Sequence, residues 1–147
     1  MKFLLKFVWV VYPLIYRMIN FRRFRAKYCR FGPAQLKLGK NTVVAEGSII
    51  KALPGSKIIV GKNCYIGEYA NIRCDREIII HDGVHIGQFV TIADADYVFG
   101  ERIGFENRNI SPIEIGCNSF VGSHCCILRG SDIQPNSVIP AMTKIVR

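Results

Sequence analysis

No acidic side chain occurs in the first 40 residues, although Lys2, Lys6, Arg17, Arg22, Arg23, Arg25, Lys27, Arg30, Lys37 and Lys40 all lie there. The other ten of the 20 lysines and arginines accompany all eleven acids, so the net charge of +9 originates in the first quarter of the chain. A basic arm beside a near-neutral remainder selects an anionic surface, lipid headgroups or nucleic acid. No nucleic-acid recognition motif accompanies the charge, so a lipid surface is the favoured reading, beside the alternative of a solvated basic face on a helix packed against the first coil. No Cys-x-x-C pair occurs among Cys29, Cys64, Cys74, Cys117, Cys125 and Cys126, so they read as reduced core thiols of a cytosolic protein rather than a disulfide framework. There are only three histidines, His81, His85 and His124. Nor does the apolar start offer a bilayer span: its uncharged run, residues 7–16, is far shorter than the ~20 residues that a hydrocarbon core of about 30 Å requires.

What the chain does have, from residue 36 onward, is one aliphatic side chain every sixth position. Leu38, Val44 and Ile50 begin the series, followed by Val60, Ile66 and Ile72, then Ile80, Ile86 and Ile92. It resumes in register with Ile115, Val121, Ile127, Ile133, Ile139 and Ile145, giving five triplets. A helix returns near 3.6 and a strand at 2, so a period of six fits neither alone. It fits a solenoid in which each six-residue rung is a short strand plus a corner, three rungs close a triangular coil, and stacked coils bury the marks. Three residues beyond the first mark of each triplet stand Asn41, Asn63, Gly83, Asn118 and Asn136, residue types that tolerate the left-handed backbone of a sharp corner.

Val60-Gly61-Lys62-Asn63-Cys64-Tyr65 with Ile66-Gly67, and Ile115-Gly116-Cys117-Asn118-Ser119-Phe120-Val121-Gly122, resemble the hexapeptide-repeat acyltransferases. The resemblance implies a mainly β fold, a left-handed parallel β-helix of about five triangular coils, and a homotrimer. Outward aliphatics and aromatics such as Ile59, Ile79, Tyr65 and Phe120 form columns on stacked coils, and cyclic closure would cover them.

Two segments flank or interrupt the array. Residues 1–34 read as an apolar and basic helical arm, with residues 35–147 as the solenoid. On a helical wheel Lys2, Lys6, Trp9, Pro13 and Arg17 share one face, opposite Phe3, Phe7, Val10, Leu14 and Met18. Such a helix lies in a membrane interface, and the basic and aromatic run of residues 21–30 adds headgroup attraction of about 1 kcal/mol per cation. The expected location is cytoplasmic, peripheral on the inner membrane face. Within the solenoid there are four extra residues around Leu53-Pro54-Gly55-Ser56 and two between Ile72 and Ile80. A loop over residues 93–112 inserts seventeen more; a structureless excursion of this size inside a regular array is usually functional. Its Tyr97, Arg102 and Arg108, with Phe99 and Phe105, suit an arm that binds an acceptor.

The branch that the chain most resembles is the O-acetyltransferases of surface polysaccharides and lipopolysaccharide. There the insertion opens with a mark, a small residue and Asp-His-Asp-His or a relative, whose first His takes the proton of a sugar hydroxyl as it attacks an acetyl thioester. Here the run is Ile92-Ala93-Asp94-Ala95-Asp96-Tyr97, so Ala95 occupies the base position between Asp94 and Asp96. An alanine cannot replace an imidazole titrating near neutrality. His85, placed outward beneath Phe120, is a further catalytic candidate and is expected to be structural or interfacial. The resemblance implies acetyl-CoA as co-substrate along the last coils near Gly122, Ser123, Gly130 and Ala141, and a sugar or lipid-linked sugar as acceptor. The chain departs from the family again at Ile139-Pro140-Ala141-Met142, where Gly-Ala-Gly is usual. Two other readings stand beside this one. One is a hexapeptide protein without turnover; the other is a zinc-dependent carbonic-anhydrase-like trimer, to which Arg73 and Asp75 are similar in motif but for which two ligand histidines are missing, so no metal site is expected.

Overall fold

The computed structural model describes residues 27–30, 33–97 and 108–147. These form three parallel sheets, the sides of a triangular prism, plus one small antiparallel ribbon. The first sheet stacks β1 (Lys27–Arg30), β4 (Ile49–Ala52), β7 (Asn71–Cys74), β10 (Thr91–Ala93), β15 (Cys126–Leu128) and β18 (Lys144–Ile145). The second stacks β2 (Gln35–Leu38), β5 (Lys57–Val60), β8 (Glu77–Ile80), β13 (Ile113–Ile115) and β16 (Asp132–Ile133). The third stacks β3 (Val43–Val44), β6 (Tyr65–Ile66), β9 (His85–Ile86), β14 (Phe120–Val121) and β17 (Val138–Ile139). The ribbon pairs β11 (Ala95–Tyr97) with β12 (Arg108–Ile110) inside the insertion. The chain visits second, third and first sheet in turn, so three rungs make one coil and about five coils stack.

The period of six sets the register. Val44, Ile66, Ile86, Val121 and Ile139 pair in one column, and Ile50, Ile72, Ile92, Ile127 and Ile145 in another. The marks of the inner coils are 0–1% exposed. Burying each such side chain is worth about 1.5–3 kcal/mol. Leu38, in the outermost strand of its sheet, is 40% exposed, because only β5 covers it. A second inward column stands two residues before the first mark, where Ile58, Ile78 and Ile113 are buried. Counting one mark per six residues misses it, because these rungs have strands long enough to turn two side chains inward.

Each coil has three corners. The first, after the second sheet, carries Asn41, Asn63, Gly83, Asn118 and Asn136 at φ between 54° and 72°, the left-handed positions expected from sequence. The second, after the third sheet, repeats this geometry with Gly47, Tyr69, Phe89, His124 and Met142 at φ 55–75°. The third corner, after the first sheet, takes every irregularity: the turn with Gly55, the Asp75–Arg76 bend, the insertion, and Gly130 at φ 73°.

Two expectations need correction. Ile59 and Ile79 do not extend into an apolar column, because the register continues them with Lys37 on one side and Glu114 and Asp132 on the other. The Tyr65 and Phe120 column is real and reads Val43, Tyr65, His85, Phe120, Val138. The second correction concerns the basic arm, whose residues 27–30 are a strand and not a helix. Lys27 to Arg30 satisfy the open edge of β4 in parallel register, and an exposed strand edge takes up such pairing readily. The interfacial helix expected over residues 1–20 lies outside the described residues.

Candidate functional site

The insertion leaves the array at the third corner of the third coil, and Asp94 fixes its exit. Asp94 stands two residues beyond Ile92, the same step at which Ala52 and Cys74 stand beyond Ile50 and Ile72 in the coils below. Its side chain therefore points into the prism, and the residue is fully buried. The amides of Asp75, Arg76 and Glu77 donate to its carboxylate at 2.7, 2.7 and 2.9 Å, and the Cys74 thiol lies 3.5 Å away. Burial raises its pKa, and the donated amides offset only part of that rise. The same burial, with Asp94 beside it, pushes the Cys74 thiol up to about 12, so it stays protonated. Asp94 is thus the clamp that binds the Asp75–Arg76 bend to the root of the insertion, and its oxygens are occupied by backbone.

Outside that clamp lies a network of ions. The buried Asp75 carboxylate receives the Arg73 guanidinium at 3.2 Å and that of Arg108 on the returning strand. Asp96 accepts from Nε of Arg129, one coil onward, at 2.8 Å. Ala95 pairs with Ile110, and Tyr97 with Arg108, in the ribbon. Consecutive strand residues face opposite ways, so Asp94 cannot orient a side chain at position 95. Arg102, Phe99 and Phe105 lie outside the described residues, and Arg108 braces the root of the loop.

The three histidines lie in different settings. His85 is stacked between Tyr65 and Phe120, with ring centroids at 4.7 and 5.5 Å. His124 occupies the second corner at φ 58° against Phe89, at 5.0 Å. His81 follows β8, and its Nε2 lies 2.6 Å from Oε1 of Glu114 on the next coil. Sequence periodicity placed His85 correctly. It missed the His81 and Glu114 pair because those residues are 33 positions apart and the insertion separates them. Among the described residues no group of three or more His, Cys, Asp or Glu side chains is placed to hold a metal ion.

Two adjoining depressions run along the second sheet from the insertion to the first corner. One, of about 430 Å³, is lined by Glu77, Ser111, Pro112, Gly130 and Arg147. The other, of about 450 Å³, is lined by His81, Cys117, Gln134 and Pro135, and both include Glu114 and Asp132. Such volumes lie within the range of small-ligand sites. Of the residues expected to hold the donor, Gly130 lines this groove. At Gly122 a Cβ would come within 2.5 Å of the Ala141 amide nitrogen, so its smallness lets two coils approach. Ser123 and Ala141 lie at the second corner, where the Ser123 carbonyl accepts from Met142.

No family model matches the chain. Over 93 residues, 63% of its length, it is 36% identical to the bifunctional protein GlmU of Limosilactobacillus reuteri. Over 88 residues, 59% of its length, it is 35% identical to the galactoside O-acetyltransferase of Escherichia coli. The matches span only 18% of that GlmU and 43% of that O-acetyltransferase. Among solved structures the fold is similar to AntD, an N-acyltransferase from Bacillus cereus crystallised with dTDP and 3-hydroxybutyryl-CoA. The TM-score is 0.57 at 17% identity, over 89% of this chain and 77% of that one. A variant of AntD with dTDP and coenzyme A gives a TM-score of 0.59 at 19% identity, over 82% and 67% of the two chains. The chain is thus similar to parts of these transferases over stretches of 88 and 93 residues, and it shares the solenoid fold of AntD.

Proposed function

We propose that the protein transfers an acetyl group from acetyl-CoA to a sugar hydroxyl during assembly of a cell-envelope polysaccharide. The carrying observation is the insertion at the third corner, rooted by the Asp94 clamp beside a groove open along the second sheet. The names of the relatives support acyl transfer, and the CoA ligands of the AntD structures support the donor. The dTDP in those structures fits a nucleotide-linked sugar as acceptor. The test is acetyl-CoA binding by calorimetry, followed by acceptor-dependent release of free thiol with a panel of nucleotide-linked and lipid-linked sugars. A protein that does not bind acetyl-CoA overturns the reading.

Assembly and placement belong to the same proposal. A homotrimer closed through the third sheet would cover Val43, Tyr69, Phe89, Phe120, Val138 and Met142, which are 42–81% exposed in the single chain. The basic arm would hold the trimer on the cytoplasmic face of a membrane. Deleting residues 1–26, which leaves β1 in place, should release the protein from liposomes containing anionic lipid, and salt should weaken whatever part Arg22, Arg23 and Arg25 supply. Equal binding by the full and shortened chains would count against the arm.

Ala95 favours a second reading, a hexapeptide protein without turnover, since Asp94 and Asp96 are already committed to backbone amides and to Arg129. Under that reading the protein binds acetyl-CoA and releases no thiol with any acceptor.

A further inference from the structure

Acyl transfer to a hydroxyl needs a base that titrates near neutrality, and position 95 does not supply one. The other imidazoles must then be compared by what surrounds them. His85 has both faces covered by Tyr65 and Phe120, and His124 is a strained corner residue stacked on Phe89. Neither has a carboxylate partner among the hydrogen bonds of the described residues. His81 differs on both counts. Its Nε2 meets Oε1 of Glu114 at 2.6 Å, an orienting carboxylate in the arrangement that fixes one ring nitrogen as donor and leaves the other, Nδ1, with its lone pair. Both side chains line the depression of about 450 Å³, and they remain 44% and 55% exposed, so a substrate can reach them.

The register explains why the pair exists. Glu114 follows Ile113 in the first mark-bearing strand after the insertion returns, and that strand, β13, lies directly on β8. His81 ends the β8 rung at its corner, and its amide donates to the Ile115 carbonyl at 2.9 Å. The insertion thus returns the chain so that its first outward carboxylate meets an imidazole of the preceding coil. The groove between them continues to Ser111 and Pro112 at the root of the loop. The groove therefore runs from His81 at the first corner to the root of the insertion that carries position 95.

We propose that His81, with Glu114 holding its ring, is the general base of the acyl transfer argued above; the inference rests on that reading. The imidazole takes the proton of the acceptor hydroxyl as the oxygen forms a bond to the acyl carbon. The carbon–sulfur bond of the thioester then breaks, and the proton passes to the departing thiolate, releasing free coenzyme A thiol. Glu114 touches no reacting atom and acts as a positioning residue.

The experiment follows acetyl-CoA binding and acceptor-dependent thiol release separately, on the full chain and on His81→Ala and Glu114→Gln. His81→Ala should bind acetyl-CoA with unchanged affinity and lose about 10²- to 10⁴-fold in rate. Added imidazole should restore part of that loss, which no structural role of His81 would produce. Glu114→Gln should lower kcat and leave KM for acetyl-CoA unchanged. A wild-type protein that turns over while His81→Ala stays within threefold of it overturns the dyad and leaves the transferase reading intact. A wild-type protein that binds acetyl-CoA without turnover also overturns the dyad, in favour of the inactive reading. Absence of acetyl-CoA binding removes the transferase reading and the dyad together.

Discussion

The first and second corners of each coil turn the chain through the same left-handed backbone and fill it with different residues. At the first corner the requirement is met within the residue, by asparagine four times and glycine once. At the second corner it falls on Tyr69, Phe89, His124 and Met142, side chains that gain nothing locally from a positive φ, where each L residue carries roughly 1 kcal/mol or more of strain. Contacts between coils offset it. Tyr69 stacks on Phe89 at 5.3 Å and Phe89 on His124 at 5.0 Å, nearly parallel, with Tyr65, His85 and Phe120 stacked on the sheet beside them. Rings stacked along the prism axis cover one another's faces and leave their edges outward. Such edges make a poor platform for a sugar ring, which would need an open face, and a good contact for another protein surface. The difference separates a corner that only turns the chain from one that also carries an exposed column of stacked rings, the surface through which the proposed trimer would close.

The largest effect should follow from breaking that surface. If copies of the chain associate through the second corner, Phe89→Asp with Phe120→Asp should convert a trimer into monomers at micromolar concentration by sedimentation, because two buried charges per interface lack partners. Asn63→Asp, the same charge at the first corner of the same solenoid, should leave the mass unchanged. A wild-type monomer at that concentration removes the comparison, and equal dissociation by both variants assigns the interface elsewhere.

A smaller effect is expected at the root of the insertion, and it shows what the sequence could and could not reveal. Fifteen marks in register specify the coils because one-sided burial repeats along the chain, and the asparagine corners follow because few residue types accept their backbone. Asp94 was legible as a residue of the site. Its orientation was not, since it depends on Asp94 continuing the inward column of Ala52 and Cys74 rather than on any neighbour in sequence. The Glu114 partner of His81 was hidden for the same reason: contacts between coils join residues about 17–33 positions apart. Asp94→Asn replaces one acceptor by an NH₂ group facing backbone amides and should cost about 1–3 kcal/mol in urea unfolding. The pH dependence has a definite sign. The folded pKa is raised, so the contribution of Asp94 is fully present below the ordinary value of 3.8 and is lost as pH rises through the higher folded value. The margin of wild type over Asp94→Asn should therefore narrow as pH rises across that window. A margin that widens instead would mean the three amides outweigh burial.

The smallest effect isolates the backbone strain itself. Phe89→Ala and Phe89→Gly both remove the ring and its contacts with Tyr69 and His124, so the two variants differ mainly in what φ 56° costs. Loss of the stacked pairs costs about 0.5–1.5 kcal/mol per pair in either case. Alanine keeps the left-handed strain of roughly 1–2 kcal/mol, which glycine relieves, while glycine gives back about 0.5–1 kcal/mol through the greater freedom of its unfolded chain. Phe89→Gly should therefore be the more stable of the two by roughly 0.5–1 kcal/mol in urea unfolding, the reverse of the order found in helices and strands. At the first corner Asn63→Gly should instead lower stability by about 0.5–1 kcal/mol, since asparagine tolerates that backbone with little strain to relieve and the freedom of glycine in the unfolded chain is left uncompensated. If Phe89→Ala proves as stable as Phe89→Gly, the second corner is not strained, and its aromatic residues need no offset from stacking to be there.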